Sequence, residues 1–176
     1  LCDGYGIPRP VVCQPYYNAL NRMPEVEVLP ACTHYGLGVV PYSPLARGVL
    51  TAKYDPGQPP PEESRAGAMD ERMMESEWRP ESLKIAQHIR DHAEAKGLTP
   101  GAFALAWLLN NAAVTSVLAG PRTLDQWRAY LAGLDYPFAE DDEVLVDSHV
   151  PAGHPSTPGY TDPRYPIEGR ATRHNL

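Results

Sequence analysis

Two short stretches carry side chains suited to a charged, planar ligand. In AGPRTLDQ, Gly120 and Arg122 stand beside a helix start marked by Thr123. Backbone N–H groups at a helix N-terminus, with the positive end of its dipole, attract an anion, and an arginine can clamp one bidentately. The plainer reading is that Thr123 caps a helix and Arg122 is a solvated charge. In GVVPYSPLARGVLTAKY, Gly38 to Tyr54, a short apolar run ends in a polar, bent, positively charged loop. Tyr42 at a strand's end offers a flat face to a planar ring. Ser43 and the backbone around Leu45 and Gly48 can reach a diphosphate, because glycine lets the chain come close, and Arg47 adds charge. Read alone, that stretch is a strand end with a polar turn. Gln14, at the polar end of an earlier strand, offers an amide that suits a carboxamide.

These side chains need elements to position them. VVCQPYYN, Val11 to Asn18, begins as a short buried strand. MPEVEVLPACTHYG reads as a helix with Pro24 in its first turn, Val26, Leu29 and Cys32 on one face, a kink at Pro30 and a stop at Gly36. GLGVVPYS is the next strand. Asp55 to about Pro80 is a long Pro-rich loop of the kind that forms lids and binding loops. PESLKIAQHIRDHAEAK carries Leu83, Ala86, Ile89 and Ala93 on one stripe and stops at Gly97. TPGAFALAWLLNN starts with Thr99 as N-cap and Pro100 behind it, and its uniform apolarity implies burial on most sides. VTSVLAG, Val114 to Gly120, is a third buried strand. TLDQWRAYLAGL follows as a helix with a Thr123/Gln126 capping box and an apolar face of Leu124, Trp127, Leu131 and Leu134. The tail over 151–176 is rich in proline and glycine and reads as irregular coil.

Strands alternating with helices mean parallel pairing through crossovers, hence an α/β fold. No GxGxxG opens a helix, which argues against a dinucleotide fold of the Rossmann type. A (β/α)8 barrel uses the same units but needs about 250 residues. With 176 residues, about three strands and a start at Leu1 rather than Met, the chain is expected to be the last part of such a TIM barrel, a single partial domain over 1–176.

Composition removes several function classes. A net charge of −7 argues against a nucleic-acid face, and no apolar run is long enough to span a membrane. Cys2, Cys13 and Cys32 form no CxxC pair, which fits a reducing cytoplasm. His88 and His92 have the four-residue spacing of metal ligands, but no HExxH pattern surrounds them, so they read as a solvated helix face and no metal is expected. His149, His154 and His174 show no partner pattern. Glu140 to Glu143 starts a helix, Trp107 and Trp127 fit core stripes, and Cys13 and Cys32 read as buried.

Taken together, VVCQPYYNALNR, GVVPYSPLARGVLTAKY, LTPGAFALAWLLNN and VTSVLAGPRTLDQ resemble, in order, the later segments of aldo-keto reductases. The resemblance runs from about Gly6 to Arg170. It implies that Gln14 holds the nicotinamide carboxamide and that Tyr42 stacks on the nicotinamide ring. Ser43, Pro44, Leu45, Arg47 and Gly48 would lie along the pyrophosphate, with Lys53 closing the motif. Gly120, Arg122 and Gln126 would surround the adenosine 2′-phosphate, favouring NADPH over NADH. Many relatives carry a Glu and an Asn where this chain has Ala129 and Tyr130, so adenine contacts there stay open. The family's catalytic Asp, Tyr, Lys and His fall on earlier strands, and Tyr5, Tyr16 and Tyr17 do not stand in the matching context. The resemblance therefore implies an NADPH-dependent reductase of aldehydes or ketones whose cofactor-binding part is this chain, catalytically inert by itself. The alternatives are an NADP-binding regulatory protein of the same fold, such as the potassium-channel β subunits, or a truncated product without function. The oligomeric state is not legible.

Overall fold

A parallel strand pair cannot be joined by a tight turn; it needs a crossover, usually helical. In the computed structural model, which describes residues 1–166, that logic organises the first third of the chain. His174 and the end of the expected tail lie outside the described residues. After a one-turn helix α1 (Cys2–Tyr5) comes strand β1 (Val12–Cys13). The chain then crosses through a 3₁₀ turn (Met23–Glu25) and helix α2 (Val28–Tyr35) to β2 (Gly38–Val39). The strands are parallel, with Val12 opposite Gly38 and Cys13 opposite Val39. The pairing continues past the strands, because Tyr42 N–H donates to the Pro15 carbonyl at 3.0 Å.

The expected kink at Pro30 is not found. The break falls earlier, around Val26 and Glu27, and Pro30 is the third residue of α2. There its missing N–H would have had no partner inside the helix, so the ring is tolerated. Replacing Pro30 by Ala is therefore expected to change stability by no more than about 1 kcal/mol; an equilibrium urea titration checks this. Gly36, left-handed at φ 70°, ends the helix as expected. Leu29 and Cys32 are buried, but Val26 is exposed, since it lies in the turn ahead of the helix.

The third expected strand is extended but not a regular one. Thr115 N–H donates to the Val39 carbonyl at 2.8 Å and Leu118 N–H to that of Pro41 at 3.0 Å, so the segment runs along the other edge of β2. Thr115 Oγ1, however, takes the Val39 N–H at 3.1 Å. A side chain thus fills a place that a backbone carbonyl holds in a ladder. β1 is also less buried than expected, with Val11 and Val12 exposed.

The core lies beside this small sheet. Helix α4 (Pro80–Ala95) presents Leu83, Ala86, Ile89 and Ala93 as a buried stripe. Helix α5 (Pro100–Asn110) is buried from Pro100 to Leu108, as its apolar sequence demands, with Thr99 Oγ1 accepting the Ala102 N–H at 3.2 Å. Both pack on the 3₁₀ segment Ala46–Thr51, whose Val49 and Leu50 are fully buried. The long loop before α4 contains a short helix, α3 (Glu71–Ser76), capped by Asp70, whose Oδ1 accepts the Met73 N–H at 2.8 Å.

Helix α6 (Leu124–Leu131) departs most from expectation. Leu124, Trp127, Leu131 and Leu134 are 39–61% exposed, so its apolar face is only partly covered by the described residues. Periodicity shows that a face is apolar, not that its partner lies within the same stretch of chain. Trp127 accordingly is not a core residue, whereas Trp107 is. Helix α7 (Glu140–His149) starts at the acidic run. From Pro151 to Pro166 there is no helix or strand, yet the segment is anchored: Arg79 donates to Thr157 Oγ1 at 2.9 Å and Ser156 Oγ at 3.0 Å and lies 4.0 Å from the Tyr160 ring.

Candidate functional site

The turn after β2 is bent by its own backbone. Ser43, Ala46, Arg47 and Ala52 all have φ between 46° and 57°, the left-handed region, and Gly48 reaches 102°. Each non-glycine residue there costs on the order of 1 kcal/mol or more, strain that clusters at ligand sites. Surrounding bonds hold the turn in place. Asn18 Nδ2 donates to the Ser43 carbonyl at 2.9 Å, and Thr51 Oγ1 to that of Gly48 at 2.8 Å. A Cβ on Gly48 would lie 3.4 Å from Lys53 Cε and Nζ, in a backbone conformation that side chains disfavour. Gly48→Val is therefore expected to displace Lys53 and distort the turn.

This turn forms one wall of a cleft of about 510 Å³, within the range of small-molecule sites. The opposite wall runs from Leu118 through Gly120 and Arg122 to Gln126, Ala129 and Tyr130, and the head of α5 closes a third side with Thr99, Pro100 and Gly101. Every expected site residue except Gln14 lines it: Tyr42, Ser43, Pro44, Leu45, Arg47, Gly48, Lys53, Gly120, Arg122 and Gln126. Gln14 is exposed, and the strand register sets it opposite Val40, two places before Tyr42. Tyr130, which sequence left open between adenine and core, is half-buried in the cleft wall.

One residue of the long loop was missed. Arg65 also lines the cleft, brought there with Ser64 and Ala66, which are buried. No periodic pattern marks it; the only signal was a cation inside a loop long enough to reach a ligand.

Charge is the decisive property of the cleft. Among the described residues its walls carry four cations, Arg47, Lys53, Arg65 and Arg122, and no carboxylate, on a chain whose net charge is −7. Among the described residues, Arg47, Lys53 and Arg122 make no ion pair, and Arg65 meets only Asp70, at 3.4 Å. Arg47 Nε is buried without a hydrogen-bond partner among the described residues. Such a constellation is built for a ligand with several negative charges.

The N-terminus of α6 contributes less than its sequence suggests. Thr123 Oγ1 accepts the Gln126 N–H at 3.2 Å, as a cap should, but the Gln126 side chain does not close the box onto Thr123. It accepts the Arg122 N–H at 2.7 Å instead, so two amides near that end are already engaged. The grip there rests on the Arg122 side chain.

His88 and His92 do not act as a pair. His88 stacks on His149 with ring centroids 4.6 Å apart, while His92 Nε2 lies 2.6 Å from Asp142 Oδ1. No described helix is long and apolar enough to cross a membrane.

Comparison with known proteins places the chain in a family. A sequence profile described as the Aldo/keto reductase family matches residues 5–151. A probable voltage-gated potassium channel subunit beta from Arabidopsis thaliana is 32% identical over 72% of this chain and 39% of its own length. An L-glyceraldehyde 3-phosphate reductase from Escherichia coli O157:H7 is 30% identical over 81% of this chain and 42% of its own length. A putative voltage-gated potassium channel subunit beta from Schizosaccharomyces pombe is 36% identical over 69% of the chain and 36% of its length. The chain thus spans about two-fifths of the curated relatives it matches.

Proposed function

Because the chain belongs to the aldo/keto reductase family, we propose that it forms the nucleotide-binding part of an NADPH-dependent oxidoreductase in a partial (β/α)8 barrel. The carrying observation is the cleft that the described residues line with four cations and no acid. NADPH fits those walls: it brings a diphosphate, a further phosphate and two flat rings. Tyr42 would face the nicotinamide, with Gln14 near its carboxamide. Ser43 to Gly48 and Lys53 would follow the diphosphate. Arg65, Arg122 and Gln126 would hold the 2′-phosphate, and Tyr130 would meet the adenine. When bound, the cofactor supplies the hydride that reduces an aldehyde or ketone.

The residues of this chain bind and orient; none is assigned to proton transfer. We expect the 176 residues alone to be inert toward carbonyl substrates, in a cytoplasmic setting where its three thiols stay reduced. A second reading is a regulatory nucleotide-binding subunit, which the likeness to the two potassium-channel relatives favours. Tight binding with very slow turnover by the intact protein would select it.

Fluorescence titration of the intact protein with NADPH and NADH tests the proposal. Binding of NADPH at least tenfold tighter than NADH is expected, and equal or absent binding would refute it. Gly48→Val is expected to weaken NADPH at least tenfold in the same titration, because the turn beside the diphosphate no longer closes.

A further inference from the structure

Among the described residues, four buried side-chain polar atoms have no hydrogen-bond partner, and three of them lie in one neighbourhood: Tyr16 Oη, Arg47 Nε and Glu77 Oε2. Glu77 is fully buried at the end of the long loop. Its other oxygen, Oε1, is 3.5 Å from Ser43 Oγ, the first strained residue of the turn. Tyr16 packs against Tyr42 with ring centroids 5.6 Å apart. Glu77 thus stands behind the cleft wall, touching the groups that line it without entering the cleft itself.

From this arrangement we propose that Glu77 is a positioning residue for anion binding, the internal counter-charge that sets how much positive charge Arg47 presents to nucleotide phosphates. The inference rests on the nucleotide reading of the cleft. A buried carboxyl facing an arginine weakens that arginine's hold on an external anion when it is ionised and leaves the hold intact when it is protonated.

Burial pushes the Glu77 carboxyl above its ordinary value, against the opposing pull of Tyr16, Arg79, Arg47 and Ser43. The groups facing it are Tyr16 from the end of β1, Ser43 and Arg47 from the turn, Arg79 at the head of α4 and Tyr160 from the tail. Burial raises both tyrosines, Tyr16 well above the usual phenol range, so Glu77 is the member of this cluster whose charge changes as pH rises out of the ordinary carboxylate range. Its protonated form prevails below its raised pKa and is lost as pH rises through it. Phosphate affinity should fall over the same interval.

The test is the dissociation constant of NADP⁺ and of inorganic diphosphate for the intact protein and its Glu77→Gln variant, from the ordinary carboxyl value of 4.5 up to about pH 8.5. The amide keeps the shape and one acceptor but never carries charge. Each phosphate ligand has its own titration, which is common to both proteins and cancels in their ratio. At about pH 8.5 the variant is expected to bind NADP⁺ about tenfold tighter than the wild type, the advantage shrinking as pH falls through the raised Glu77 pKa. Wild-type protein should also take up protons on binding inorganic sulfate, which does not itself titrate in this range, read by calorimetry in buffers of different ionisation heat, since linkage is reciprocal. That measurement stands even if the variant fails to fold.

A constant affinity ratio, or no proton uptake, overturns the role of Glu77 while leaving the nucleotide reading intact. Diphosphate binding with the expected ratio but no NADP⁺ binding overturns the nucleotide reading and keeps Glu77. Binding of neither overturns both.

Discussion

Arg122→Glu is expected to weaken NADPH binding by the intact protein at least 100-fold while leaving NADH affinity within a few-fold. Arg122 is exposed in the cleft wall and makes no ion pair among the described residues, so its side chain supports nothing else in the fold. A charge-assisted hydrogen bond to a phosphate is worth about 1.5–3 kcal/mol, and reversal adds repulsion in its place. Roughly 3 kcal/mol corresponds to more than two decades in affinity. The selectivity follows from the 2′-phosphate, which NADH lacks. Parallel fluorescence titrations at low and high salt check the idea, since the gap between the two nucleotides should narrow as salt screens the exposed charges. Equal losses for both nucleotides would place Arg122 at the diphosphate instead.

Asp142→Ala is expected to destabilise the protein by about 3–5 kcal/mol, because it strips a buried charge network of its centre. Asp142 is fully buried. Its carboxylate accepts from Lys96 Nζ at 2.7 Å, from Tyr136 Oη at 2.9 and 3.1 Å and from its own helix's N-cap, the Ala139 N–H, at 2.8 Å, with His92 beside it. It thereby ties the start of α7 to the end of α4. Burial alone would raise its pKa, but the bonds from Lys96, Ala139, His92 and Tyr136 prevail and hold it at about 2. A depressed carboxylate contributes stability above its ordinary value of 3.8, lost as pH falls toward 2. Urea unfolding should therefore show the wild type losing stability through that interval and Asp142→Ala showing a shallower slope. An unchanged slope would mean that other carboxylates govern the acid limb.

The site was more legible in the sequence than its supports. Tyr42 to Gly48 announced itself because a strand that stops at Ser-Pro-Leu-Ala-Arg-Gly has chosen residues for a bend and a charge. Gly120 and Arg122 did the same beside a capped helix. Arg65 was silent, because a loop residue acquires its role only when the chain around it folds back. The α5 helix was readable from end to end, since a uniformly apolar helix has one place to go. Two local rules failed for physical reasons. Pro30 breaks helices in their interior but not in their first turn, and boundary errors of a few residues decide which applies. The Val114–Gly120 segment lost its regular ladder to the Thr115 hydroxyl, which takes the Val39 N–H, and to Pro41, which has no N–H to give. Glu77 was equally unreadable, since only the fold shows that it is buried against Ser43 of the turn.

The cleft is assembled from parts distant along the chain: the turn at 42–53, Arg65, the head of α5 and the segment 118–130. Before folding, these parts meet only at the entropic cost of closing large loops, so the complete ligand grip forms late. A nucleotide bound across the walls would then act as a removable clasp. It would slow local opening without altering the folding route, and the clearest trace of it would be the resistance of the Asp55–Pro80 loop to a protease in the presence of NADP⁺.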